Sequence, residues 1–172
     1  MAIFRRLPHC GTFRFLERLS RNLCLLLSCA LPLGGCGFLS GNSTASNIKC
    51  TDVVKTAYSQ MGKKYRLGGA SPQKGFDCSG LVWWSYKQHG VKLPRITSDQ
   101  AKTGKAVSKR LARPGDIVVF RSSNSPRGLH TGLYAGDGKF IHSPGKGKKV
   151  CIDKLTAGYW KNKLVSVRRV AK

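Results

Sequence analysis

Residues 129–143 constrain the fold more than any other part of the chain. Leu129 to Ala135 alternates in polarity, Phe140 to Ser143 does the same, and Gly136-Asp137-Gly138 stands between them. Alternating runs joined by so short a Gly/Asp segment form an antiparallel hairpin. Each arm carries a histidine, His130 and His142, and the turn decides how they relate. A two-residue Asp137-Gly138 turn pairs Gly136 with Lys139 and sets His142 opposite Leu133, on the other face from His130. A three-residue loop with Gly138 left-handed pairs Ala135 with Lys139 and sets His142 opposite Gly132. The rings then share a face as diagonal neighbours about 7–8 Å apart. Chemistry shared by both rings requires the three-residue loop or a bulge.

Elsewhere the pattern predicts helices first and strands afterwards. Thr51 to Met61 has helical spacing, with Thr51 as cap and Gly62 as stop. Ser71 to Gly75 reads as a turn. A second helix runs from Cys78 to about His89, with Gly90 behind it, and a short one fits Thr97 to Thr103. Strands follow at Ile117 to Phe120, in the two hairpin arms, at Lys149 to Ile152 and at Leu164 to Val170. This order predicts an α+β domain in which N-terminal helices pack on an antiparallel β-sheet.

Cys78 opens the second helix in the run Phe76-Asp77-Cys78-Ser79-Gly80-Leu81-Val82. Unpaired N–H groups and the positive end of the helix dipole favour thiolate there. Of the later histidines, His89 lies about 16 Å along the same helix and cannot reach. His130 and His142 remain, His130 as base and His142 as the group fixing its tautomer. Cys78, His130 and His142 also invite a zinc reading. Structural zinc favours closely spaced ligand pairs, and none is present, so neither metal nor cofactor is expected.

The first 36 residues read as an export segment. Arg5, Arg6, Arg14, Arg18 and Arg21 precede an apolar stretch from Leu23 to Leu33 that is too short to span a bilayer. Leu33-Gly34-Gly35-Cys36 resembles a bacterial lipobox, which makes Cys36 the lipidated residue; Leu26-Leu27-Ser28-Cys29 is a rival. Residues 37–49, rich in Gly, Ser, Asn and Thr, read as a flexible tether, and 50–172 as the folded domain. With Gly37 rather than Asp after the lipidated cysteine, the segment resembles sorted lipoproteins, and that resemblance implies the outer membrane over the inner. With Cys36 and Cys78 assigned, Cys50 and Cys151 remain, and an oxidising compartment would let them pair as a disulfide. The formal charge is +24, from 31 basic and 7 acidic residues. It suits a polyanionic partner. Basic runs interleaved with aromatics are lacking, so nucleic acid is not expected.

Taken together, the chain resembles the NlpC-type bacterial cell-wall cysteine peptidases. The matching pieces are Tyr65-Arg66-Leu67-Gly68-Gly69, Phe76-Asp77-Cys78-Ser79-Gly80-Leu81-Val82, Pro94-Arg95-Ile96-Thr97-Ser98, Pro114-Gly115-Asp116, His130-Thr131-Gly132-Leu133-Tyr134 and Phe140-Ile141-His142-Ser143. They run in the family's order over residues 50–170. The resemblance implies a papain-like core, a Cys78–His130–His142 triad and cleavage of peptidoglycan stem peptides. It also implies that Tyr65 lines the site and that Asp77 and Ser79 help bind substrate. A thiol acyltransferase or lipase acting on membrane lipids is the enzymatic alternative. A non-catalytic wall-binding module is the other.

Overall fold

A computed structural model describes residues 49–123 and 128–170. The export segment, Cys36 and nearly all of the tether lie outside the described residues. Helix α1 (Cys50–Tyr58) buries Val53, Val54 and Ala57. It is shorter than the Thr51–Met61 pattern suggested: the chain leaves it in turns that end at Gly62, whose φ is +79°. The Ser71–Gly75 turn joins two minimal strands, β1 (Ala70–Ser71) and β2 (Gly75–Phe76). Helix α2 (Cys78–Lys87) starts at the expected residue because Asp77 caps it, accepting the Gly80 N–H at 2.6 Å. Its Leu81, Val82, Ser85 and Tyr86 are buried. Helix α3 (Thr97–Gln100) is a single turn.

Among the described residues six further strands follow: β3 (Lys105–Val107), β4 (Ile117–Arg121), β5 (Leu129–Gly136), β6 (Lys139–His142), β7 (Cys151–Lys154) and β8 (Leu164–Arg169). They form one antiparallel sheet in the order β3-β8-β4-β5-β6-β7. This is the expected α+β architecture. β3 was not foreseen, because an edge strand of exposed or half-buried residues lacks the alternation of a buried one. Val119 and Val118 show how the centre is covered on both sides. Ile117, Val119, Leu133 and Ile141 join the helices in one cluster. Val118, Phe120 and Phe140 join Leu155, Trp160 and Val167 in another. A buried carboxylate secures the start of β4: Asp116 receives Arg169 Nε at 2.9 Å and Nη2 at 2.7 Å.

The β5–β6 turn combines two devices. Asp137 and Gly138 both have positive φ, 51° and 68°, and Gly136 pairs with Lys139. That is the two-residue turn, which alone would separate the histidines. Yet Tyr134 pairs with Phe140 and Leu133 with Ile141, so Ala135 is an extra residue on β5. This bulge, with Gly136 at φ +96°, restores the register that brings His142 beside Gly132. Gly132 has little space: a Cβ there would stand 2.8 Å from the Ile141 carbonyl oxygen and 3.1 Å from His142 Cβ. Gly132→Ala is expected to destabilise the protein by about 1–3 kcal/mol, read as a shifted midpoint in urea unfolding; an unchanged midpoint would show that the ribbon tolerates spreading here.

Candidate active site

Cys78 sits at the first turn of α2 and keeps 9% of its surface exposed. The loop before it is tightly fastened. Asp77 accepts the Gly68 and Gly80 N–H groups and both Arg95 Nη atoms, each Nη at 2.9 Å. Ser79 Oγ donates to Asp77 at 3.2 Å and accepts from Arg95 at 3.0 Å. These two side chains, expected near substrate, thus hold the junction from which the thiol emerges. Burial pushes the Cys78 thiol up. N–H groups of Thr131, Ser79 and Cys78 itself pull it back, while Asp77 adds to the rise. Helix-start stabilisation is therefore outweighed by desolvation, and the resting group is a thiol rather than the expected thiolate. Thr131 lies past the last β5–β6 rung, Leu133–Ile141, so its N–H is available to the sulfur.

His130 and His142 are brought together. Their rings meet edge to face, with His130 Nε2 and His142 Nδ1 2.8 Å apart. Both are almost fully buried among Phe120, Phe140 and Trp160. Burial, then the neighbouring ring, push His130 down to about 3. Burial also lowers His142, against the pull of Asp153. Both imidazoles are neutral at physiological pH, and no hydrogen bond joins either to the thiol among the described residues. His130 uses Nε2 on His142, which leaves Nδ1 as its free basic atom.

Two residues that the sequence reading missed complete the row. His142 Nε2 lies 3.1 Å from Asp153 Oδ2, and Trp160 Nε1 donates to the same oxygen at 2.7 Å. The hydrogen bond from His142 is the main cause holding the Asp153 carboxyl below its usual range. An ionised carboxylate only accepts, so His142 carries its proton on Nε2 and offers Nδ1 as acceptor. His130 must then donate from Nε2, which keeps its Nδ1 unprotonated. Asp153 could have been found by continuing the hairpin one strand further, since Cys151 pairs with His142 and Asp153 with Phe140.

A buried amide ties the two halves. Gln100 Nε2 donates to the Ser79 and Pro94 carbonyls, each at 3.0 Å, and Gln100 Oε1 accepts from Thr131 Oγ1 at 3.0 Å. It thereby joins the residue after Cys78 to the residue after His130. Tyr65 is close enough that burial, followed by Cys78 and Asp77, raises its phenol, which stays a neutral donor. His89 stands apart, 2.8 Å from Thr56 Oγ1, and links α2 to α1. The Cys50–Cys151 disulfide that an oxidising compartment would allow is not formed. Cys50 opens α1 beside Gly115, whereas Cys151 faces His142 Nε2 at 3.6 Å across β6–β7.

Residues 62–169 match the NlpC/P60 family. The chain is 37% identical over 138 residues to the murein DD-endopeptidase MepH of Escherichia coli, covering 78% of this chain and 51% of that protein. It is 40% identical over 118 residues to a gamma-DL-glutamyl hydrolase of Bacillus subtilis, covering 68% and 28%. The chain thus spans about half or less of the curated relatives it matches here. An NlpC/P60 family protein from Bacillus cereus superposes with a TM-score of 0.68 at 31% identity, over 74% of this chain and 42% of that one.

The direction of the hydrogen-bond row is open to measurement. Nitrogen-15 spectra should place the His142 proton on Nε2 and the His130 proton on Nε2. Asp153→Ala should produce mixed tautomers at His142; an unaltered spectrum would show that Asp153 does not set them.

Proposed function

The chain belongs to the NlpC/P60 family, and from that premise we propose that it is a cysteine peptidase cutting the stem peptides of peptidoglycan. The observation that carries this reading is the 2.8 Å contact between His130 and His142, fixed in one direction, with His130 next in the chain to Thr131, whose N–H reaches the Cys78 sulfur. In the occupied site the Cys78 thiol and His130 Nδ1 come into hydrogen-bond reach, as catalytic pairs unbonded at rest commonly do. His130 Nδ1 takes the thiol proton, and sulfur attacks the amide carbon. Backbone N–H groups at the start of α2, with the Tyr65 phenol nearby, stabilise the oxyanion. His130 returns the proton to the leaving amine. Water, deprotonated by the same nitrogen, then hydrolyses the thioester. Asp77 and Ser79 shape the substrate side by holding the loop that leads into α2.

The same proposal covers the whole chain. Residues 1–36 export it, Cys36 receives lipid, residues 37–49 tether it, and residues 50–172 act in the cell envelope at the outer membrane. The +24 charge suits an anionic wall and anionic headgroups. The relatives named above differ in the bonds their names specify, and product masses from defined muropeptides identify the bond cut here.

Two variants test the reading. Cys78→Ala should lower cleavage of defined muropeptides, followed by product masses, by at least about 10³-fold with an unchanged circular dichroism spectrum; persistent cleavage would overturn the peptidase. Cys36→Ser should release the protein from membranes into the soluble fraction, and continued membrane retention would overturn the lipid anchor.

A further inference from the structure

The absence of metal expected from the sequence concerned Cys78, His130 and His142. The sheet assembles a different set. His142 ends β6, and Cys151 lies opposite it on β7 with Asp153 two residues on. One ligand atom from each of the three lies within 4.8 Å of the other two. His142 Nε2 is 3.6 Å from Cys151 Sγ and 3.1 Å from Asp153 Oδ2. Tetrahedral zinc with ordinary Zn–N, Zn–S and Zn–O bonds separates N from S by about 3.6 Å and N from O by about 3.3 Å. The two separations from His142 already stand near the edges of that tetrahedron, and the third lies within 4.8 Å. We infer that His142, Cys151 and Asp153 form a zinc-binding site that switches the neighbouring histidine pair off.

Several features favour a cation at this place. Cys151 and Asp153 line a cavity of about 430 Å³ with Ser122, Tyr159 and Trp160, so the fourth position can be filled by water. Trp160 Nε1 donates to Asp153 Oδ2 and steadies the carboxylate, as outer-shell donors do around metal ligands. One thiolate and one carboxylate cancel the charge of the ion. Lys148 and Lys154 line the same cavity and oppose it, so the site is expected to bind more weakly than a structural zinc centre. The ligand types, nitrogen with sulfur and oxygen, suit zinc better than calcium or magnesium, which prefer oxygen alone.

The consequence follows from tautomers. Zinc needs the lone pair of His142 Nε2, where the proton now resides. The Cys151 thiol proton leaves to solvent, and the two rings keep one proton each. His142 must then carry its proton on Nδ1 and donate it to His130 Nε2. His130 in turn carries its proton on Nδ1, the atom that has to accept from Cys78. The base is thereby blocked without any ligand touching the sulfur. Binding rests on the three donors alone; the switch rests on the peptidase reading above.

Cobalt(II) and zinc are the probes, added to the full-length protein. Cobalt should give a one-to-one complex with a thiolate-to-cobalt charge-transfer band, retained in Cys78→Ala and lost in Cys151→Ala. Zinc affinity by calorimetry should fall more than about 100-fold in Cys151→Ala, with Asp153→Asn weakening it in the same direction. Muropeptide cleavage by the native chain should decline in step with site occupancy. Cys151→Ala should need correspondingly more zinc for half-inhibition. A band lost in Cys78→Ala but kept in Cys151→Ala, or an absence of stoichiometric binding, would overturn the site. Binding as described with undiminished cleavage would overturn the switch, and a chain that binds zinc but never cleaves would sink only the peptidase.

Discussion

The bond between the two imidazoles depends on one surplus residue. Ala135 has no partner on β6, and without it the tight Asp137-Gly138 turn would set His142 on the far side of the ribbon. A strand pair has a strict period of two, so a single insertion acts as a switch of face. The bulge near the hairpin tip thus decides what stands at its base. Gly132 completes the arrangement by leaving room beside His142. Conformation, not composition, makes these two histidines a unit.

The electrostatics follow from where that unit lies. Rings packed among Phe120, Phe140 and Trp160 are deprived of water, so protonated imidazole is disfavoured on both. The sulfur is deprived too, although backbone N–H groups partly compensate. The resting centre is therefore uncharged at its heart, with Asp153 as the fixed anion at the outer end of the row. Charge separation is deferred to the reaction, where an incoming carbonyl gives the electrons a destination. Asp153 is half exposed at its own side chain, 43%, and so links this dry interior to solvent.

Much of this was legible in the sequence because local rules carry it. Asp77 is a cap and Cys78 a helix start by elementary backbone accounting. The hairpin announced itself through Gly136, Asp137 and Gly138, and so did the ambiguity of its register. What was missed depends on partners distant in the chain. β3 is a strand because β8 needs a neighbour, and nothing in Lys105-Ala106-Val107 says so. Asp153 and Trp160 matter through a third strand and a short helical turn folded against it, which no spacing within β5 and β6 reveals. Cys50 and Cys151 make the same point: an oxidising compartment would let them pair, while the topology sets them beside separate neighbours.

Gln100 gives the arrangement a property of its own. A primary amide, wholly buried, sets the spacing between the segment that bears the sulfur and the one that bears the base. Amides neither gain nor lose protons across the range in which bacteria live. That one tie is accordingly indifferent to acidification of its surroundings, unlike contacts that depend on a carboxylate. An enzyme working outside the buffered cytoplasm would keep this link between the two segments through such swings.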